Sequence, residues 1–388
     1  MVNSAGDPNV GGAEKHVFDL ADGLRSHGHE VSFLHAFPRR DGRRSPDSSV
    51  LSRSDWRHDS LRRIPKIAED WLSLPTGRLE EVVAEARPDI VNTHNLLGIT
   101  TAVWEVARRQ NVPVVHTLHD YRLLCLRATL TKNDGSPCRP NPLLCGLRTK
   151  RITRWAGAVS QLVGVSRYVL DMHLSLFPRA RSQVIRHALV PTASRPLRLP
   201  GSSLGTLGYL GLLREHKGLR QLVAAVPELA ERGVSVSIAG KGPLEEEIAS
   251  AAATLPGLSF EGFVSGERKE AFFESCDAGI VPSTWDEPAP YAALEWLCAG
   301  RPLLASTRGG LAEMVDQFAG ARAAEPTATG IVAAVDDLLD DAEWRAVVSG
   351  ATSIDFEGEV ERWVRDYERV YDAALATKTT ALPSGIAV

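Results

Sequence analysis

The sequence predicts an α/β protein made of two similar doubly wound parallel-sheet domains, and three observations support this fold class. Its 388 residues suit two domains of ordinary size better than one. A helical pattern, a glycine and an apolar strand follow one another over residues 13–36, and the same succession returns over residues 218–239. Short apolar runs alternate with helical patterns along the chain, as in parallel sheets covered by helices on both faces.

The individual elements follow from these patterns. Residues 13–26 carry apolar side chains on one helical stripe, Gly28 ends the helix, and a strand is expected over residues 31–36. The second half repeats this plan around Gly233. Further buried strands are predicted at residues 89–93, 113–117, 161–165, 207–210, 278–282 and 302–306.

The domain boundary is predicted from a change in composition. Residues 187–205 are rich in Pro, Ser and Gly and have no hydrophobic period, which is typical of a linker. We therefore expect an N-terminal domain over residues 1–195 and a C-terminal domain over residues 196–356. A closing helix over residues 357–376 should return toward the N-terminal domain, followed by a disordered tail over residues 377–388. Open sheets bind ligands beyond the carboxyl ends of their strands, so the two sheets are expected to face each other across a substrate cleft.

The composition excludes several classes of protein. No apolar run approaches the length needed to cross a bilayer, and no basic segment followed by an apolar one opens the chain, so we expect a cytoplasmic protein. The five cysteines are an odd number in a long chain, which argues against a secreted disulfide framework. Cys125, Cys138 and Cys145 lack a recognisable zinc spacing, and no metal site is predicted.

Charge is distributed unevenly between the two halves. Residues 1–195 contain 28 Lys and Arg against 19 Asp and Glu, whereas the remainder contains 16 against 29. The basic half is a candidate for contact with an anionic acceptor or with the inner face of the membrane, although a solvated basic face explains it equally well. Nucleic acid is not expected as a partner, since no basic-aromatic binding pattern occurs. The basic side chains concerned are Arg39, Arg40, Arg43, Arg44, Arg62, Arg63 and Lys66.

Two motifs of the first half have the composition of ligand sites. Gly11-Gly12-Ala13-Glu14 opens the first helix, where free N–H groups favour an anion, although a plain glycine turn is as good an interpretation. His119 and Asp120 end a strand, and His94 ends the preceding one, so these side chains should line one edge of the sheet. For His119, and for His116 earlier in the same strand, a structural role is the alternative.

Two motifs of the second half carry more weight. Lys217 lies between a strand and a helix, where its charge would suit a diphosphate. Glu287 lies in a loop after a strand, and Glu295 lies on the first turns of a helix that begins near Tyr291. Two carboxylates around a helix N-terminus can hold sugar hydroxyls while the helix start holds phosphate.

Over nearly its whole length the chain resembles the retaining glycosyltransferases of the GT-B fold known as family 4. Glu287 and Glu295 match the E-x7-E signature of that family, and Ala299 to Leu303 and Gly309 to Glu313 match the segments that follow it. Other matches are Gly11 to Glu14, His119-Asp120, Ser166, Lys217-Gly218 and Gly240 to Pro243.

The resemblance implies roles for individual positions. Glu287 and His119 would be the catalytic residues, Glu287 holding hydroxyls of the donor sugar and His119 touching the transferred sugar. Glu295 would hold the ribose and Lys217 would neutralise the diphosphate, while residues 260–264 would frame the base. No metal and no cofactor would be needed, since positive charge and helix N-termini stabilise the departing phosphate. The complete donor set would be Gly12, Arg214, Lys217, Gly240, Phe263, Tyr291, Ala292 and Glu295, and the acceptor-side candidates are Glu14, His94 and Asp120.

Three positions depart from the family pattern. Leu212 stands where many relatives have arginine, and Arg214 is expected to reach the same phosphate. Pro290 stands where glycine is frequent, so backbone contacts to phosphate are expected from Tyr291 onward. Before the glycine turn only Met1–Val2 counts as strand, so either the chain begins too late or the sheet begins with a stub.

The expected reaction is transfer with retention, in which the acceptor hydroxyl attacks on the face that the phosphate leaves and a phosphate oxygen takes the proton. A UDP-sugar is the first choice of donor and a GDP-sugar the second. One alternative is a nucleotide-sugar epimerase or an inverting transferase, for which His94 or Asp7 would be the base. The other is a catalytically silent sugar-nucleotide-binding partner. The acceptor stays open among a lipid-linked glycan, a polysaccharide precursor and a secondary metabolite.

Overall fold

A computed structural model describes residues 1–7, 11–37, 48–51, 77–132, 134–138, 143–190 and 199–380. The chain divides into two compact units, each built around one parallel sheet. The predicted fold class of two doubly wound α/β domains is confirmed. The first unit comprises Met1–Ala128, Arg139–His187 and Glu359–Val388, and the second comprises Thr129–Cys138 and Ala188–Gly358.

The first unit contains a seven-stranded sheet in the order β3-β2-β1-β4-β5-β6-β7, with every neighbouring pair parallel. Helices connect most of the strands, as parallel pairing requires. The strands are β1 Val2–Ala5, β2 Phe33–Phe37, β3 Ser48–Val50, β4 Val91–Thr93, β5 Val114–Leu118, β6 Val159–Gly164 and β7 Arg181–Val184. The helices are α1 Gly12–Ser26, α2 Gly77–Ala86, α3 Ala102–Arg109, α4 Leu144–Ile152 and α5 Arg167–His173.

The second unit contains a six-stranded parallel sheet in the order β10-β9-β8-β11-β12-β13. Its strands are β8 Thr206–Leu212, β9 Ser235–Lys241, β10 Leu258–Gly262, β11 Ala278–Val281, β12 Leu303–Ala305 and β13 Ala321–Ala323. Its helices are α6 Leu219–Glu231, α7 Glu245–Thr254, α8 Glu267–Ser275, α9 Tyr291–Cys298, α10 Gly310–Gln317, α11 Ala328–Leu338 and α12 Asp341–Thr352, and α13 Phe356–Thr380 follows. The order reverses between β8 and β11, and this switch point is where such sheets bind ligands.

The predicted beginning of the sheet was wrong, because a full strand precedes the glycine turn. β1 covers Val2–Ala5 and pairs with both β2 and β4, so it lies inside the sheet. Asn3 and Ser4 are buried polar residues, so this strand has no apolar run that would predict it. Their polar groups are satisfied locally, since Asn3 Nδ2 donates to the Ala5 carbonyl at 3.1 Å and Ser4 Oγ donates to Glu14 at 3.5 Å.

The closing helix α13 belongs, from Glu359 onward, to the first unit. Its inner face buries Trp363 and Tyr367, and Asn92 Nδ2 of β4 donates to Tyr371 Oη at 2.7 Å. The expectation of disorder from residue 377 was wrong for its first four residues, since the helix continues to Thr380 and Thr377 Oγ1 donates to the Ala374 carbonyl. Residues 381–388 lie outside the described residues.

Two of the predictions concern membranes, and the described residues bear on only one of them. Within the described ranges, no helix combines the length and the apolar character needed to span a bilayer. The basic residues between positions 39 and 66 that suggested contact with a membrane surface lie outside those ranges.

Candidate functional site

In the second unit, the residues of the predicted site lie after the carboxyl ends of the strands, around the start of helix α9. Pro290 precedes this helix in an extended conformation, and Tyr291 is its first residue, as predicted. Trp296 fixes the helix against the sheet, because Gly208 of β8 and Gly279 of β11 leave the space that its indole fills. A Cβ atom on either glycine would lie 2.4 Å or less from the Trp296 ring.

Glu287 is the most deeply buried carboxylate of this region, with 2% of its surface exposed. Its Oε1 accepts a hydrogen bond from Lys217 Nζ at 2.6 Å and a second from Ser283 Oγ at 2.6 Å. Among the described residues no hydrogen-bond donor contacts Oε2. Burial, together with the nearby negative charge of Glu287, raises the pKa of Tyr209.

Lys217 reaches Glu287 because the loop after β8 folds closely onto the end of β11. Gly218 has a φ of +76°, and a Cβ atom there would lie 1.8 Å from the Pro282 carbonyl oxygen, so only glycine fits. The Thr284 amide donates to the His216 carbonyl at 3.0 Å and ties the two loops together. Lys217 Nζ also lies 5.3 Å from the centroid of the Trp285 ring.

A second glycine turn supports Glu287 from the other side. Gly309 has a φ of +60°, and a Cβ atom there would lie 2.5 Å from the Glu287 carbonyl oxygen. The Gly310 amide donates to that carbonyl at 2.6 Å. The glycine segment after the E-x7-E match therefore fixes the backbone of the Glu287 loop.

Glu295 lies on the second turn of α9 and pairs with Lys269 of α8, with 2.7 Å between Lys269 Nζ and Glu295 Oε1. Both side chains are partly exposed, at 21% for Glu295 and 30% for Lys269. An ion pair in contact with water is weak, so Glu295 can exchange Lys269 for a ligand hydroxyl at small cost.

The remaining predicted donor residues of the second unit lie near the same edge of this sheet. Phe263 follows β10 with 54% of its surface exposed, and Lys241 Nζ lies 4.3 Å from its ring centroid. Gly240 allows β9 to approach the loop after β8, since a Cβ atom there would lie 1.9 Å from the Gly211 carbonyl oxygen. Arg214 is exposed and forms no ion pair with the described residues.

The first unit contains four histidines in contact, which we call the histidine cluster: His16, His94, His119 and His187. His94 Nδ1 and His119 Nε2 are 3.0 Å apart, as expected for two strand ends at one edge of a sheet. His16 of α1 lies 2.8 Å from His187, measured between their Nδ1 atoms, and its Nε2 lies 3.0 Å from Tyr367 Oη. The rings of His16 and His119 pack edge to face with centroids 4.6 Å apart.

Burial keeps the cluster uncharged. It lowers the pKa of His187 to about 3 and lowers the pKa of His16, His94 and His119 well below the ordinary histidine range, with a further contribution from the neighbouring histidines. His119 Nδ1 and His94 Nε2 have no hydrogen-bond partner in the described part of the chain. A pocket opens beside them, lined also by Asp120 and Arg122.

The cluster has the composition of a metal site, because His16, His94 and His119 each offer a nitrogen within 4.8 Å of the other two. The separations of 2.8 Å between His16 and His187 and of 3.0 Å between His94 and His119 are those of N–H···N hydrogen bonds, and Nε2 of His16 is hydrogen-bonded to the Tyr367 hydroxyl. A metal would have to break them. The absence of a metal requirement stays a prediction.

The other predicted residues of the first unit lie near this edge. Gly12 is the first residue of α1 and is exposed, whereas Glu14 is buried next to Ser4. Asp120 Oδ1 accepts a hydrogen bond from the Arg122 amide at 2.8 Å. Four further side chains contact the predicted residues and were not predicted, although Ser283 lies inside the motif around Glu287. These four are His16, His187, Lys269 and Ser283.

Two family models match the chain, one in each half. The model described as Glycosyltransferase Family 4 matches residues 10–191, and the model described as Glycosyl transferases group 1 matches residues 205–341. The first ends and the second begins within the linker that the sequence predicts.

Similar proteins support the same assignment. A glycogen synthase from Mycobacterium tuberculosis is 27% identical over 367 residues, covering 86% of this chain and 83% of that protein. The structure of sucrose-phosphate synthase from Thermosynechococcus elongatus has a TM-score of 0.69 and 16% identity, over 96% of this chain and 99% of that one. Anabaena HepE in complex with UDP also has a TM-score of 0.69 and 16% identity, over 96% and 98%. The chain is a glycosyltransferase of the GT-B type.

Proposed function

We propose that this protein transfers a sugar from a nucleoside diphosphate to an acceptor hydroxyl with retention of the anomeric configuration. The observation that supports this most directly is the buried arrangement of Glu287 with Lys217 and Ser283, beside the start of α9. A buried carboxylate whose second oxygen accepts no hydrogen bond from the described residues suits a neutral, hydroxyl-rich ligand, and the adjacent ammonium suits a phosphate.

In this proposal the donor binds to the second unit. Its diphosphate contacts Lys217 and the first N–H groups of α9, at Tyr291 and Ala292, where the helix dipole favours negative charge. Glu295 accepts hydrogen bonds from the ribose after leaving Lys269. Phe263, exposed and already stacked with a lysine, offers a surface for the base. The UDP bound to HepE makes a UDP-sugar the first donor to test.

The reaction needs charge stabilisation more than a protein nucleophile. As the bond from the anomeric carbon to the phosphate breaks, Lys217 and the N-terminus of α9 stabilise the charge that develops on the leaving diphosphate. The acceptor hydroxyl forms its bond to the anomeric carbon on the same face. Its proton passes to a phosphate oxygen of the leaving group, so no metal, cofactor or general base from the protein is required.

The histidine cluster is the candidate site of the first unit. His119 is uncharged, lines the adjacent pocket and has an Nδ1 without a hydrogen-bond partner among the described residues, so it can exchange a hydrogen bond with a sugar hydroxyl without the desolvation cost of an imidazolium. His94, Asp120 and Glu14 are the acceptor-side candidates at the same edge. A glycan or lipid-linked acceptor provides the hydroxyl.

The configuration of the product tests the mechanism even before the acceptor is known, because water can replace it. We expect slow hydrolysis of a UDP-sugar, with the released sugar in the anomeric form of the donor when proton NMR spectra are recorded before mutarotation. The opposite anomer would establish an inverting enzyme, and a changed sugar still attached to the nucleotide would establish an epimerase.

Replacing Lys217 by alanine is expected to weaken the binding of donor and of free UDP alike. A charge-assisted contact to phosphate contributes about 1.5 to 3 kcal/mol, so the dissociation constant should rise by roughly tenfold to a hundredfold. Isothermal titration of both ligands measures this. Arg214→Ala is the matched control: if it weakens UDP binding and Lys217→Ala does not, the phosphate contact belongs to Arg214.

A further inference from the structure

Helix α4 exposes three leucines that no part of the proposed mechanism uses. The exposed fractions are 82% for Leu143, which precedes the helix, 63% for Leu144 and 62% for Leu147. Leu143 and Leu147 are four residues apart and Leu144 and Leu147 three apart, so all three lie on one side of the helix. Isolated exposed leucines are ordinary, but adjacent ones on one helical face mark an interaction site.

The opposite side of α4 is firmly attached to the first unit. Arg148 and Ile152 are buried, at 2% and 4% exposure. Arg148 Nη1 donates to the Arg122 carbonyl at 2.8 Å, and Thr149 Oγ1 donates to the Leu123 carbonyl at 2.9 Å. Thr101 Oγ1 donates to the Ile152 carbonyl. The helix is therefore anchored by one face, and the leucines stay on the other.

The exposed side of the helix becomes basic after the leucines. Lys150, Arg151 and Arg154 are all exposed, and they continue the stripe of Leu144 and Leu147 at spacings of three and four residues. The segment from residue 143 to residue 154 contains no acidic residue. Neither Lys150 nor Arg151 forms an ion pair with any described residue, so the described part of the chain does not neutralise their charges.

We propose that this face, formed by Leu143, Leu144, Leu147, Lys150 and Arg151, docks the first unit on an anionic lipid surface. Leucines beside uncompensated cations match both layers of such a surface, since the leucines enter the acyl boundary and the cations contact anionic headgroups. A protein partner would have to supply an apolar hollow next to an acidic patch. A bilayer supplies an apolar layer and anionic headgroups together. It needs no shape complementarity, which a narrow helical stripe cannot provide.

The size of the effect follows from the two contributions. Each Lys or Arg near an anionic surface strengthens binding about fivefold, so reversing the charge of Lys150 and Arg151 should weaken it at least about 25-fold. Each leucine removed from the acyl boundary should cost about tenfold or more. Binding should also weaken as salt is added, since the headgroup contribution is screened.

The test is co-sedimentation of the full chain with vesicles, without donor or acceptor, so it is independent of the proposed reaction. We expect binding to vesicles of equal parts phosphatidylcholine and phosphatidylglycerol, and much weaker binding to phosphatidylcholine alone. The variant with Leu144→Ser and Leu147→Ser and the variant with Lys150→Glu and Arg151→Glu should both lose it.

Matched controls use exposed residues elsewhere. Leu339 of the second unit and Arg179, between α5 and β7, are both exposed. The Leu339→Ser and Arg179→Glu variants should bind vesicles as the parent does. An unchanged circular dichroism spectrum and an unchanged thermal unfolding midpoint of every variant show that the chain is folded. The proposal is overturned if the chain does not bind vesicles or binds both vesicle types equally. It is also overturned if the chain self-associates through the leucines without binding vesicles, since the face would then be a contact between two copies.

Discussion

Glu287→Ala is expected to lower sugar transfer about a hundredfold or more while leaving the binding of free UDP at least as strong as in the parent. The lost orientation and charge stabilisation correspond to about 3 kcal/mol in the transition state. Free UDP lacks the transferred sugar, which is the part of the donor that Glu287 would hold. Removing the carboxylate also releases Lys217 from its 2.6 Å ion pair, and the ammonium then has only the phosphates to neutralise.

The neighbouring variants separate this prediction from misfolding. Glu287→Gln keeps the volume of the side chain and its hydrogen bonds from Ser283 and Lys217 but removes the charge, so it shows whether the charge itself matters. Isothermal titration with UDP and an assay of donor turnover are both needed. Parental turnover in Glu287→Ala would end the assignment, and loss of UDP binding in the same variant would indicate damage to the loop.

Glu295→Ala should show the reverse pattern, with UDP and donor weakened together through the ribose. Lys269→Ala is its matched control, because it breaks the same 2.7 Å ion pair and leaves the carboxylate in place. Weaker UDP binding in Glu295→Ala but not in Lys269→Ala assigns the effect to the ribose. Equal weakening in both would assign it to the ion pair.

Much of the fold could be predicted because buried parallel strands consist mainly of apolar residues. The segments at 113–117 and 278–282 appear in the structure as β5 and β11, and the helix expected near Tyr291 begins at that residue. β1 escaped because Asn3 and Ser4 are polar and are accommodated only by hydrogen bonds inside the fold.

In the candidate sites, too, some features could be predicted from the sequence and others could not. Placing Lys217 and Glu287 after strands was possible from local pattern, but their pairing joins positions 70 residues apart and depends on the Gly218 turn packing on Pro282. His94 and His119 were expected at one edge because their strands are neighbours. His16 and His187 were not, since one lies within a helical pattern and the other in the predicted linker, and only the tertiary fold brings them together.

The first unit is expected to lose stability steeply as the pH falls below 6.5. Burial lowers the pKa of His116 and His187 to about 3 and that of His35 to about 4 in the folded chain, whereas the unfolded chain titrates near 6.5. Below pH 6.5 the unfolded state therefore binds protons that the folded state does not. Stability is fully present above that pH and falls as the pH approaches the folded values.

At about pH 5 each of these three histidines removes about 2 kcal/mol, and together about 6 kcal/mol, which rivals the total stability of an ordinary domain. His16, His94 and His119 act in the same direction. The described residues of the second unit include one histidine, His216, whose pKa burial lowers to about 4, so that unit should lose much less.

Hydrogen exchange followed by mass spectrometry, at about pH 7.5 and about pH 5 after correction for intrinsic exchange rates, reports the two units separately. Peptides from β4 and β5 should lose protection at the lower pH, and peptides from β8 and β11 should keep most of theirs. His35→Phe provides the decisive comparison, because His35 packs against Phe18 and Phe33 and an aromatic ring of similar shape fills its place. This variant should match the parent at the higher pH and recover about 2 kcal/mol of protection at the lower one. Equal loss of protection in parent and variant, or in both units, would show that the buried histidines do not set the acid sensitivity of the fold.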